Sequence, residues 1–240
     1  MIQYEKKIPK GSIITNMGNV KVLSKKEKMI IEKRNTMIKR VVIGLIIVSL
    51  LATLIISIIL SNRPYYADIE IEGYGVITVK LDKSAAPKTV KNFVKLAKSG
   101  FYDGMTFHRI IEGFMMQGGC PNGNGSGGNV DKNGEEINIV GEFSNNGYAN
   151  GILHERGVIS MARSGGYPEA DYYNTASSQF FIVHKDSHHL DGDYAAFGRV
   201  VTGMEIVDKI CEEAKPSDNN GTIPKEDQPV IKTIAIKRSN

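Results

Sequence analysis

Val41–Leu60, VVIGLIIVSLLATLIISIIL, runs for twenty positions without a charged side chain. As a helix such a run crosses ~30 Å of hydrocarbon, which takes about 20 residues. The core helix of a water-soluble domain is shorter and keeps a polar face. A cleaved secretory leader fits poorly too: its basic n-region would be forty residues long, and no A-x-A pattern precedes Tyr65. The run is expected to be an uncleaved, single transmembrane helix.

Charge gives this helix a direction. Of the 30 Lys+Arg and 26 Asp+Glu, 11 and 3 lie in residues 1–40, a net of +8; the 19 and 23 that follow Leu60 give a net of −4. Basic flanks stay in the cytoplasm, so the large C-terminal part is expected to face outward. The overall pI near 8.9 averages a basic tail with a mildly acidic domain, and nucleic-acid binding is not implied. Within the tail, Ser24-Lys25-Lys26-Glu27 has the form of a capping box, and neither Pro nor Gly follows before Gly44. A helix running from there into the membrane, or a disordered basic leader with a few helical turns, both fit.

After a linker over residues 61–67, short strands are expected at Asp68–Glu72 and Val76–Leu81, joined at Gly73-Tyr74-Gly75. APKTVKNFVKLAKSG reads as one amphipathic helix: Pro87 suits a first helical position, Val90, Phe93, Val94 and Ala97 recur at helical spacing, and Gly100 stops it. Two strands should flank Gly113, with others at Gly157–Arg163, Gln179–His184, Ala195–Val201 and Val230–Lys237, and a second helix at Met204–Ala214. Many short strands with two separated helices predict a mostly antiparallel β barrel or sandwich, its openings covered by helices, as one domain over residues 68–240.

FHRIIEGFMMQGG, residues 107–119, sets Arg109 among Phe, Ile and Met with only Glu112 for an ion-pair partner. The Gly-rich run 118–128 is not followed by Gly-Lys-Ser/Thr or by a helix, so a tightly turning loop is expected rather than a phosphate cradle. His108, His154, His184 and the pair His188-His189 show no metal-ligand spacing, and no G-x-S-x-G elbow is present; neither a metal nor a cofactor is expected. Cys120 and Cys211 are too few for a disulfide framework and read as free thiols.

FHRIIEGFMMQGG, GNGSGG, GVISMAR, SSQFFIV, HLDGDYAAFGRV and GMEIVDKI occur in the order and at nearly the spacing of the cyclophilin family of peptidyl-prolyl isomerases, which residues 68–238 resemble throughout. The resemblance implies an eight-stranded antiparallel closed β-barrel capped by two α-helices, with a peptide groove on its outside. It implies Arg109 as catalytic cation with Gln117 orienting it, and Phe114, Met115, Phe181 and Leu190 as the pocket for a substrate proline ring. Gln179 would help orient Arg109 and the peptide, and Ala162 and Arg163 would offer backbone contacts.

Departures from the family pattern concern the groove's rim. His189 stands where the family often has Trp, Tyr194 where it often has His, and Arg163 where Asn is common. The chain has no Trp, so the indole hydrogen bond that many members offer cyclosporin is missing. The segment SGGYPEADYYNTA exceeds the compact family loop, and its Glu169 and Asp171 are expected to favour basic residues near the proline.

Two function classes follow: a membrane-tethered prolyl isomerase acting on extracytoplasmic proteins as they fold, or a non-catalytic proline-peptide-binding module or holdase. In either case the expected partners are unfolded or partly folded proline-containing polypeptides and the membrane itself. Nothing in the sequence specifies an oligomer, and a monomer is assumed.

Overall fold

The computed structural model describes residues 23–61 and 63–239. The chain divides into two compact units, the first ending at Ser61 and the second beginning at Asn62. The first 22 residues of the expected basic tail lie outside the described residues.

In the first unit, α1 (Lys25–Ser61) is one unbroken helix of 37 residues. Ser24 and Glu27 close the capping box that their spacing promises. The Ser24 N–H donates to the Glu27 carboxylate at 2.8 Å, and Ser24 Oγ accepts from the Glu27 N–H at 3.3 Å. Inside the apolar run the Thr53 hydroxyl donates to the Leu50 carbonyl at 2.8 Å, so the helix satisfies its own polar group. α1 is long and apolar enough to cross a membrane.

The second unit is built on eight strands: β1 (Tyr65–Ile71), β2 (Gly75–Leu81), β3 (Phe107–Ile111), β4 (Met115–Gly118), β5 (Val158–Met161), β6 (Phe180–Val183), β7 (Ala196–Thr202) and β8 (Ile231–Arg238). All neighbours are antiparallel, in the order β3-β4-β6-β5-β7-β2-β1-β8. The sheet corrects the expectation of a closed barrel. β3 and β8 remain the two ends of the ladder, joined only by an isolated bridge between Thr106 and Val230 and a few backbone hydrogen bonds beside it. The result is a curled half-barrel, held across the seam by the Gly104, Phe107 and Ile231 N–H groups, which donate to the Ile231, Pro229 and Met105 carbonyls. The expected linker is shorter too, since Tyr65, Tyr66 and Ala67 pair with both β2 and β8.

Thirty buried residues form the main core, on the inner face of the sheet. α2 (Pro87–Lys98) packs on β8, and α3 (Met204–Glu213) on β2 and β4, each driving its apolar face into this core. Phe93 of α2 meets Phe197, Tyr102 and Phe180 at ring-centroid distances of 5.2, 5.3 and 5.4 Å. Burying such a ring contributes roughly 1.5–3 kcal/mol. Ala86 cannot cap α2, and a distant residue does so instead: the buried Glu142 carboxylate accepts from the Lys88 N–H at 3.1 Å and from the Thr89 N–H and hydroxyl at 2.8 and 2.9 Å.

Candidate active site

β5 and β6 are buried on both faces, which is why they show no polar alternation. Their inner residues, Ile159, Met161, Phe180 and Ile182, join the main core. Their outer residues Val158, Phe181 and Val183 join a second, smaller cluster with Met115, Leu190 and Ala196. That outer cluster floors a pocket of about 140 Å³, and Arg109 and Gln117 stand beside it because the register pairs Arg109 with Gln117 and Gln117 with Phe181.

Nine of the eleven residues singled out in the sequence line this pocket: Arg109, Phe114, Met115, Gln117, Ala162, Arg163, Phe181, Leu190 and Tyr194. Gln179 lies next door, in a polar pocket of about 200 Å³ that shares Gln117, Ala162 and Arg163. His189 is exposed and leans on Phe114 at 5.3 Å between ring centroids.

Arg109 is half-buried and held on several sides. Its Nη1 donates to Gln117 Oε1 at 3.3 Å, and its plane lies over the Phe114 ring at 5.8 Å. Gln117 is itself fixed, donating through Nε2 to Gln179 Oε1 at 2.9 Å, while Gln179 Nε2 donates to the Gly125 and Gly127 carbonyls at 2.9 Å each. So the Gly-rich run anchors a chain of amides that ends on the cation. The sequence reading missed a second support, the Asn220 carbonyl, which accepts from Arg109 Nε at 2.7 Å. Burial draws the Arg109 pKa down, partly offset by Tyr194 and Asp218; a guanidinium nevertheless stays charged. Glu112 is exposed at the β3–β4 turn.

Arg163 was expected to matter through its backbone, yet its side chain is fully engaged. Only 2% of that side chain is exposed. It lies against the rings of Tyr194, Tyr173 and Phe143 at 4.7, 5.4 and 5.8 Å, and donates to the Asp193 carbonyl at 2.9 Å and to Glu169 at 2.5 Å. In the long loop Glu169 pairs with Arg163 while its own side chain stays 55% exposed, Asp171 is exposed, and Tyr173 packs onto Phe143.

Beneath Phe181 lies a polar line that the sequence hinted at only through His154. His154 is buried, with Nδ1 2.9 Å from Asp191 Oδ1 and Nε2 3.0 Å from Ser160 Oγ, and its ring is parallel to Phe181 within 18°. Burial holds its pKa below the usual value despite Asp191. For Asp191, burial opposes ionisation, but hydrogen bonds from the His154 backbone and ring and from His188 outweigh it and leave the carboxyl below its ordinary range. Ser160 is wholly buried and faces no substrate space, so the trio braces the pocket floor instead of forming a nucleophile. His108, beside Arg109, is also buried, and burial followed by the neighbouring cation pushes its pKa down to about 4. Cys120 and Cys211 are both free and buried.

The family model for cyclophilin type peptidyl-prolyl cis-trans isomerases matches residues 66–239. The chain belongs to the cyclophilins. Among curated relatives of this isomerase family, peptidyl-prolyl cis-trans isomerase B of Bacillus subtilis is 42% identical over 150 residues, which cover 62% of this chain and 87% of the relative. A peptidyl-prolyl cis-trans isomerase of Helicobacter pylori is 43% identical over 138 residues, 57% of this chain and 75% of the relative. A crystal structure of a Cryptosporidium parvum cyclophilin is similar with a TM-score of 0.60 at 34% identity, covering 74% of this chain and 99% of that one. A second structure of that cyclophilin, in the presence of the dipeptide Ala-Pro, gives 0.59 at the same identity. The cyclophilin pocket of this chain is thus small, apolar at its floor and edged by two held cations, Arg109 and Arg163.

Proposed function

We propose that this cyclophilin twists X-Pro bonds with Arg109 as its fixed cation, in proteins folding on the outer side of a membrane to which α1 anchors it. The observation that carries the chemistry is Arg109, held by Gln117 and the Asn220 carbonyl at the edge of a pocket of proline size.

Isomerisation crosses a barrier of ~18–20 kcal/mol in which a partial double bond loses its resonance, with no covalent bond made or broken. As the amide twists, the proline nitrogen lone pair localises. A preorganised donor aimed at that nitrogen stabilises the twisted state more than the planar one, and does so most in a water-poor setting. Arg suits the task because its charge is permanent and its planar fork is rigid. Phe114, Met115, Phe181 and Leu190 would grip the ring while the peptide turns, Gln117 would hold Arg109 in place, and Gln179 and the Ala162–Arg163 backbone would align the flanking residues. His189 and Tyr194 would edge the groove.

Support for the location is the uncharged run Val41–Leu60 within one continuous helix, and the +8 excess on its N-terminal side against −4 beyond. Proline-containing, partly folded polypeptides are the natural clients of such a site, in line with the relative studied in the presence of Ala-Pro. A protease-coupled assay on short X-Pro peptides tests the proposal: the parent chain should speed cis-to-trans conversion at catalytic concentration. Peptide binding without acceleration would make the groove a binding module.

A further inference from the structure

The exposed face of α2 is a row of lysines. Lys88, Lys91, Lys95 and Lys98 follow one another at intervals of three, four and three residues, which places them on one side of the helix, away from the buried Val90, Phe93, Val94 and Ala97. α2 carries no acidic residue. Among the described residues, none of the four pairs with a carboxylate, whereas Lys209, Lys232 and Lys237 do. Lys88 lies over the Tyr148 ring at 5.3 Å and Lys98 over the Tyr65 ring at 5.8 Å. Four like charges in a row repel one another, and the segment that carries them has a net charge of −4. The row is therefore a local reversal of sign, kept without neutralising partners.

Its position along the chain is the second observation. Tyr65, under Lys98, stands four residues past Ser61, the last residue of α1, at most ~14 Å of extended chain. A second basic feature adjoins the same point: a cleft of about 1020 Å³ in which Arg63, Lys80, Lys83 and Arg199 outnumber Asp82 and Glu155. So short a connection tethers this basic face within reach of the lipid surface at the end of α1, and anionic headgroups attract Lys and Arg that come within the ~8 Å screening length.

We propose that the lysine face of α2 docks on anionic phospholipid headgroups of the membrane that α1 crosses. The proposal rests on the anchor reading above. It gives the tethered domain a fixed side toward the lipid. No residue of α2 lines the proline pocket, so docking leaves that pocket to peptides.

The test uses the full chain reconstituted in vesicles of phosphatidylcholine alone or with about one-third phosphatidylglycerol, treated briefly with a membrane-impermeant amine acylating reagent and read by mass spectrometry. Relative to the exposed Lys185 and Lys225, the four α2 lysines should label about fivefold more slowly in the anionic vesicles. Salt at about 1 M, with a screening length of ~3 Å, should abolish the difference. Equal relative labelling in both lipids overturns the docking proposal while leaving the anchor standing. Protection by soluble polyglutamate but not by phosphatidylglycerol also overturns it, and points to an acidic protein. Failure to float with neutral vesicles after an alkaline wash overturns the anchor, and the docking proposal with it.

Discussion

His108 and Arg109 are neighbours on β3 with opposite fates, one buried without a charge and the other kept charged at the pocket edge. The histidine makes stability depend on pH. Its folded pKa of about 4 lies below the ordinary 6.5, so between those values the unfolded chain binds the extra proton. Stability from this group is complete above about pH 6.5 and falls as pH drops toward 4, by roughly 3 kcal/mol. Denaturant titrations at stepped pH should show the fall, and His108→Phe should flatten it; an identical slope in the variant would clear His108 of the effect. Activity should behave differently, because a guanidinium acting as the proposed fixed cation shuttles no proton. kcat/KM should stay nearly flat from about pH 6 to 9, and a bell-shaped profile would point to acid-base catalysis instead. At this scale the sequence was informative for Arg109 and Gln117, which lie in one strand-turn-strand and meet across two adjacent strands. It was silent on the Asn220 carbonyl, 111 residues away, since a backbone acceptor leaves no mark on residue type.

The element that delivers that carbonyl is the turn from Ser217 to Thr222. Asp218 accepts from the Asn220 and Thr222 N–H groups at 2.9 and 3.0 Å, and those bonds hold its carboxyl below the usual range. Gly221 has φ +83, and a Cβ there would come within 2.4 Å of Ile111 Cγ1 and 2.6 Å of the Ile110 carbonyl. Gly221→Ala should therefore cost about 1–3 kcal/mol of stability, shift the Asn220 carbonyl and lower kcat more than it raises KM. Unchanged kcat in a variant destabilised to that extent would free Arg109 from dependence on this turn. α2 was legible from Pro87, its apolar spacing and Gly100, all local signals, whereas its cap by Glu142 is not local. The strands around the pocket are shorter than the expected 157–163 for β5 and 179–184 for β6, because an apolar run buried on both faces does not show where pairing stops. In the long loop after Arg163, Asp171 stays exposed while Glu169 pairs with Arg163, a contact that residue type does not announce.

For the molecule as a whole, the positions of the strands and of the two helices along the chain followed from the sequence, while the pairing order in the sheet and the open seam between β3 and β8 did not, because both depend on contacts between distant segments. The anchor predicts that the full chain stays in alkali-washed membranes and that protease added outside intact cells cuts the cyclophilin domain. A fragment released into the medium and starting near residues 61–66 would show cleavage instead. Arg109 is the residue on which the proposed catalysis rests, and the most direct measurement compares turnover with peptide affinity in Arg109→Ala. Removing one preorganised donor should lower kcat/KM for X-Pro peptides by about 10²–10³, mostly in kcat, since Phe114, Met115, Phe181 and Leu190 still bind the ground state. Arg109→Lys should recover little of it, an ammonium being unable to reproduce the fork. Turnover by Arg109→Ala at the parent rate, with affinity unchanged, would contradict the account.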